Sequence, residues 1–273
     1  MKSKRTVFLS FLKQSGMLGL LVVNLVLWSG CSTVPVTGRS QFNVMSQSQE
    51  MQLGLTSFDQ LKKDVPISKD VYAKAMVQKV GQKIAAVAGP DMPNAQWEFV
   101  VFESKEANAF CLPGGKVGVY TGILPITKDE AGLATVIGHE VAHAVARHGG
   151  ERMSQAMGLQ VLGAVADAGT AQSKYHSYVV AGYGLGSQLG VALPYSRMQE
   201  SEADHIGLIY MARAGYDPEQ AVKFWERFAA FNQKQGGEEL WFLRTHPLDE
   251  DRIKQLQEWM PEARAAARDA GAK

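Results

Sequence analysis

The chain has 273 residues, 46% hydrophobic and 20% charged, enough apolar content for one large domain or two small ones. Its formal net charge is +1, and Lys2, Lys4, Arg5 and Lys13 are the only charges among the first thirty residues, which leaves 24 basic against 27 acidic residues beyond them. A body so near neutrality excludes the basic footprint that nucleic acid requires, and no nucleic-acid partner is expected.

Residues 1–30 read as an export signal. A basic stretch, Met1–Lys13, precedes an apolar run, Met17–Trp28, and then Ser29-Gly30-Cys31. The run is short of the ~20 residues a membrane span needs, and Asn24 interrupts it. A cysteine directly after Gly30 resembles a bacterial lipoprotein signal, in which Cys31 is lipidated and becomes the mature N-terminus. Trp28 stands where that pattern usually has Leu, so an ordinary signal or an uncleaved anchor is the alternative. Ser32 in place of Asp implies sorting to the outer membrane in a Gram-negative cell. With Cys31 lipidated, Cys111 has no partner and is expected to be buried and inert.

Residues 31–66 are polar and read as a tether, with a short helix near Ser48–Gln60. Residues 67–273 then form the working domain. Val71–Val87 carries apolar residues at helical spacing and stops at Gly89-Pro90. Trp97–Phe102 is aromatic and β-branched and predicts a strand. Leu112-Pro113-Gly114-Gly115 predicts a turn, and the alternation in Lys116–Thr121 a second strand. Thr127–Arg147 predicts a long helix with Thr127 and Glu130 as a capping box. Further helices are expected at Met157–Ala168, Ser196–Ala214, Pro218–Asn232 and Leu248–Met260. Pro261 should end or kink the last of these, with Glu262–Ala267 as a final stretch. Gly182–Gly190, with four glycines, predicts a mobile lid. The sum is a helix-rich α+β domain with one small sheet.

The long helix holds His139-Glu140-Val141-Ala142-His143, an HExxH pattern. Residues four apart project from one face of a helix, so His139 and His143 can share a zinc ion. Glu140 lies beside that face, placed to take a proton from a water. Two histidines do not complete a catalytic site, which needs three protein ligands. His148 is close in sequence, but no glycine interrupts Ala144-Val145-Ala146-Arg147. On a continuous helix it points about 140° away from His143 and reads as structural or surface-facing. The other candidate lies in Glu200-Ser201-Glu202-Ala203-Asp204, where Glu200 and Asp204 share a helix face and Glu202 projects elsewhere, into solvent. His176 and His205 are expected to face solvent.

HEVAH followed by ExxAD resembles the CAAX prenyl protease and HtpX-type zinc metallopeptidases. Within them it is most similar to the exported bacterial members, the BepA- and LoiP-like periplasmic proteases. The resemblance covers roughly residues 67–260 and implies a zincin-like (gluzincin) domain with a small sheet beside the HExxH helix. It implies one zinc ion held by His139, His143 and Glu200, with Asp204 supporting a ligand histidine and Glu140 as the general base. Asn108-Ala109-Phe110-Cys111-Leu112-Pro113-Gly114-Gly115 is similar to the family's NAFxLPGG segment. It implies substrate binding by Asn108, Ala109 and Phe110, beside an edge strand at Lys116–Tyr120. Thr245-His246-Pro247, with Arg252, is similar to its HPxxxxR element. His246 would bond the oxyanion or act as a removable plug on the metal. Arg252 would pair with a carboxylate or neutralise developing charge. The implied partners are unfolded or misassembled polypeptides, with the membrane reached through the lipid on Cys31. A zinc-binding assembly factor with little proteolysis is the alternative, and the intact Glu140 argues for the enzyme.

Overall fold

The computed structural model describes residues 31–170, 197–234, 242, 246 and 251–271. The segment 1–30 expected as an export signal, the Gly182–Gly190 segment, His176, Thr245, Pro247 and the start of the helix expected from Leu248 lie outside the described residues.

A two-stranded hairpin, β1 (Cys31–Thr33) and β2 (Ser40–Phe42), comes first, and α1 (Gln47–Asp64) follows. Ser46 caps α1 in a capping box with Gln49. This segment was expected as a tether. From Val34 onward it is built into the fold, because Val34 and Phe58 are fully buried. Phe58 packs edge-on against Phe102 and Phe110 of the sheet. Helix α2 (Val71–Ala88) is capped by Asp70, whose side chain accepts from the amides of Tyr72 and Ala73.

The sheet contains β3 (Glu98–Phe102), β4 (Ala109–Leu112) and β5 (Lys116–Tyr120), in the order β3-β5-β4. Strand β5 runs parallel to β3 and antiparallel to β4. Lys116–Tyr120 is therefore the central strand and not the edge. The tight Pro113-Gly114-Gly115 turn folds β4 back along β5, with both glycines at positive φ, and so gives the edge to Ala109–Leu112.

A short helix, α3 (Leu124–Thr127), ends at Thr127, and Lys128 takes a positive φ. The motif helix α4 (Glu130–Val145) starts only after this break. Its cap is Asp129, which accepts from the Gly132 amide, and not Thr127, whose hydroxyl donates to Leu124 O. From Gly132 to Val145 every residue except Ala144 is buried, which places α4 at the centre of the domain.

Helix α5 (His148–Thr170) follows, then α6 (Arg197–Arg213), α7 (Glu219–Lys234) and α8 (Arg252–Gly271). Helix α7 buries Ala221, Phe224, Trp225 and Phe228, one apolar stripe. Helix α8 runs straight through Pro261. The missing N–H costs one helical bond, and burial of Leu256, Met260, Ala263 and Ala266 on one face holds the helix together across it.

Helices α4 and α6 meet at two glycines. A Cβ on Gly138 would lie 3.0 Å from the Gly207 carbonyl oxygen, and one on Gly207 would lie 2.8 Å from the His139 amide nitrogen. The backbones therefore touch at the residue before the first motif histidine. Gly207→Ala is expected to lower stability by about 1–3 kcal/mol, the range for overpacking a tight contact. Urea denaturation measures it, and an unchanged midpoint would show that the crossing has room to spare.

Candidate metal centre

Helix α4 presents His139 and His143 toward α6, which presents Glu200, and His246 closes the group from the segment before α8. All four are buried. His143 Nε2 lies 3.1 Å from His139 Nε2 and 3.2 Å from Glu200 Oε1, and His139 Nε2 lies 3.4 Å from Glu200 Oε2. Zinc–nitrogen bonds of about 2.0–2.1 Å in a tetrahedron separate donor atoms by about 3.3 Å, so this donor set fits zinc. His246 Nδ1 lies 3.3 Å from His139 Nε2 and 2.9 Å from Glu200 Oε1, the spacing of a fourth donor.

The surroundings orient these donors. His139 Nδ1 is 2.9 Å from Asp204 Oδ1, which leaves Nε2 free to face the metal position. Arg252 donates through Nε to Asp204 at 2.5 Å and through Nη2 to Glu200 at 2.7 Å. Its guanidinium lies 3.8 Å above the Trp225 ring. Of the two roles open to Arg252, pairing with carboxylates is the one its contacts express.

Three carboxylates, Glu140, Glu200 and Asp204, converge here with one guanidinium, a field that favours a cation. Burial alone would lower His139, but its hydrogen bonds to Asp204 and Glu200 outweigh burial and raise the imidazole to about 10. Burial likewise opposes ionisation of Glu200, yet His246, His143 and His139 hold it well below the usual carboxylate range. Burial raises the Glu140 carboxyl. Glu140 Oε1 is buried without a hydrogen-bond partner and sits 3.5 Å from His246 Nε2. A carboxylate shielded from water and raised in basicity is suited to proton transfer.

Cys111 is partly exposed, and desolvation together with the Glu140 charge pushes its thiol far up, so it stays protonated and unreactive. It lines a 220 Å³ cavity with Leu53, Leu112, Met153 and His143. The three expected substrate-binding residues take different places. Asn108 is buried with its Oδ1 unpartnered, and its carbonyl accepts from the Tyr120 amide. Ala109 is buried opposite Val119 on the edge strand. Phe110 packs with Phe58, Phe102 and Tyr120. Edge residues Cys111 and Leu112, not Phe110, line the cavity beside His143. A larger cleft of 630 Å³ between Met51, Leu55, Gln96 and Lys116 includes none of the metal donors in its wall.

His148 and Glu202 differ from expectation. The motif helix is not continuous to His148, because Arg147 adopts φ 55 and α5 starts afresh. Arg147 is held there by a fork onto Glu50 and a bond to Met45 O. The break turns His148 inward, where it is fully buried. Its Nδ1 lies 2.8 Å from His143 Nδ1 and its Nε2 lies 2.9 Å from Glu202 Oε2. Glu202, expected in solvent, is buried and accepts from Thr37 and Arg39. His205 also differs, stacking on Trp259 and pairing with Glu262. No glycine or proline stands at the Arg147 break, so His148 and Glu202 carried no signal beyond their nearness to the motifs, and Arg39 carried none.

A helix with two histidines and a buried glutamate, completed by a carboxylate from a crossing helix, defines a metallopeptidase-type centre. The chain belongs to peptidase family M48, whose description matches residues 72–260. It is 37% identical over 233 residues to the mitochondrial metalloendopeptidase OMA1 of Schizosaccharomyces pombe, covering 84% of this chain and 66% of that one. The Saccharomyces cerevisiae OMA1 is 33% identical over 263 residues, covering 87% and 74%. The β-barrel assembly-enhancing protease of Escherichia coli is 27% identical over 229 residues, covering 81% and 46%. The chain thus spans about two thirds of the fission-yeast protein and under half of the E. coli one. Identity to the mitochondrial proteins exceeds identity to the bacterial protease, so the expected exported bacterial branch is narrower than the likeness observed.

Burial raises Glu202, but hydrogen bonds from His148, Thr37 and Arg39 outweigh it and lower its pKa from 4.5 to about 2. A depressed carboxylate contributes stability above its unfolded pKa and loses it as pH falls through the folded one. Wild type should therefore exceed Glu202→Gln in stability at neutral pH. That difference should shrink between about pH 4.5 and 2, as read by denaturant midpoints across the range.

Proposed function

We propose that the protein is a zinc metalloendopeptidase that cuts unfolded or misassembled polypeptides in protein quality control. The observation that carries this reading is the convergence of His139, His143 and Glu200 at tetrahedral spacing beside the unpaired oxygen of Glu140. His139, His143 and Glu200 would hold a zinc ion there, which would supply Lewis-acid activation of a water and of the peptide carbonyl. Glu140 takes the water proton and delivers it to the leaving amine. Asp204 fixes the ring of His139, and Arg252 holds both carboxylates of α6 in register. The edge strand β4 offers main-chain groups to an extended substrate, a mode that suits loose sequence preference. The likeness to a metalloendopeptidase and to an assembly-enhancing protease supports this reading.

Export to the periplasmic face of an outer membrane is proposed from the basic–apolar–Cys31 layout of residues 1–31, with the lipid on Cys31 as the anchor. Among the described residues no helix is long and apolar enough to cross a membrane.

His246 Nδ1 stands at fourth-donor distance, which supports the plug over the oxyanion role. Its ring stacks on Phe242, and its amide donates to the Phe242 carbonyl. Glu140→Gln should retain zinc by elemental analysis and lose at least 100-fold in casein cleavage, a loss typical of removing a general base. Retained cleavage by metal-verified Glu140→Gln protein would sink the assignment of the base. His246→Ala should raise basal cleavage several-fold without loss of zinc, whereas a fall in rate would favour the oxyanion role.

A further inference from the structure

We propose that His148, Glu202 and Arg39 form an outer relay that positions the ligand His143, making the hairpin behind Cys31 part of the metal centre. The inference rests on the zinc reading above and extends it to residues that no motif includes.

The relay is continuous. His143 Nε2 faces the metal donors, so its Nδ1 carries the proton and donates to His148 Nδ1 at 2.8 Å. His148 then carries its own proton on Nε2 and donates to Glu202 Oε2 at 2.9 Å. This is the one arrangement of neutral rings that satisfies both contacts with Nε2 of His143 free for the metal.

The far end is anchored from the N-terminal segment. Arg39 Nε donates to Glu202 Oε2 at 2.8 Å, and Thr37 donates to Oε1. The other face of Arg39 forks onto Glu151 at 2.9 and 3.0 Å, and Gln199 donates to the same carboxylate. Residues 37–39 lie between β1 and β2, six to eight positions beyond Cys31. A network built only for folding has no need to end on the ring nitrogen of a ligand. This one does, and it matches the His139–Asp204 contact on the other histidine with one imidazole interposed.

Outer partners of ligating histidines set ring orientation and basicity, and their loss typically costs 10–100-fold in metal affinity. Glu202→Gln can still accept from Arg39 and His148 through its carbonyl oxygen, but it withdraws the negative charge that raises the basicity of His143 through His148. His148, Glu202 and Arg39 act here through His143 and are positioning residues.

The test compares wild type, Glu202→Gln, Arg39→Ala, Arg39→Lys and Tyr210→Phe in the full chain. The readouts are zinc affinity against a chromophoric chelator, the visible spectrum of the Co2+-substituted protein, and the melting temperature. Tyr210→Phe removes a 2.6 Å bond to Asp91 elsewhere on α6 and controls for lost stability. Glu202→Gln should weaken zinc about 10–100-fold and shift the Co2+ bands. Arg39→Ala should do both to a smaller degree, and Arg39→Lys should recover part of the loss. Tyr210→Phe should lower the melting temperature alone. Wild-type affinity and Co2+ bands in folded Glu202→Gln or Arg39→Ala protein would overturn the relay. If Glu202→Gln does not fold, the Arg39 pair decides by the same readouts. Wild type that takes up no zinc would overturn the metal reading, and the relay with it.

Discussion

The candidate metal centre depends on a backbone contact made at two glycines. Gly138 and Gly207 let α4 and α6 approach until their backbones touch. Glu200 lies two turns before Gly207 on its helix, and His139 directly follows Gly138, so the closeness of the glycines becomes the closeness of the donors. Side chains at that crossing would push the helices apart and stretch the donor spacings beyond the ~3.3 Å edge of a zinc tetrahedron. The packing of α7 and α8 serves the same contact, since Trp225 lies under Arg252 and Arg252 ties Glu200 to Asp204.

Burial gives this arrangement its electrostatic character. Ionised carboxylates in a low-dielectric interior are costly unless paired, and here they outnumber the guanidinium that faces them. The same field that raises His139 favours a divalent cation between the donors. Glu140 stands apart, since burial dominates its environment and leaves one oxygen unpartnered. Glu200 and Glu140 are thus separated in behaviour by surroundings, not by residue type.

The N-terminal segment matters through one strained residue. Arg147 in the left-handed region ends α4 one residue before His148 and lets α5 leave in a new direction. Its fork onto Glu50 stabilises that conformation, so α1 is needed for the break. The break in turn places His148 between His143 and Glu202, where Arg39 can reach the carboxylate. Residues that read as a tether therefore bear on the geometry of a ligand more than a hundred positions away in sequence.

Periodicity and cap chemistry determined much of this from the chain alone. The helices expected at Val71–Val87, Thr127–Arg147, Ser196–Ala214 and Pro218–Asn232 are present with shifted ends. Spacing places His139 with His143, and Glu200 with Asp204, on shared helix faces, while the ligand role of Glu200 rests on the family resemblance. Strand β3 is legible as an aromatic and β-branched run and β5 as an alternating one, but their order is not. Which strand lies at the edge is decided by how the Pro113–Gly115 turn folds β4 back, a pairing choice local pattern does not encode. The cap at Asp129 in place of Thr127, the unbroken helix through Pro261 and the inward turn of His148 depend equally on distant partners. Local sequence specifies which residues share a helix face. Only tertiary packing decides which faces meet, because burial energy and unsatisfied polar groups are settled between segments and not within them.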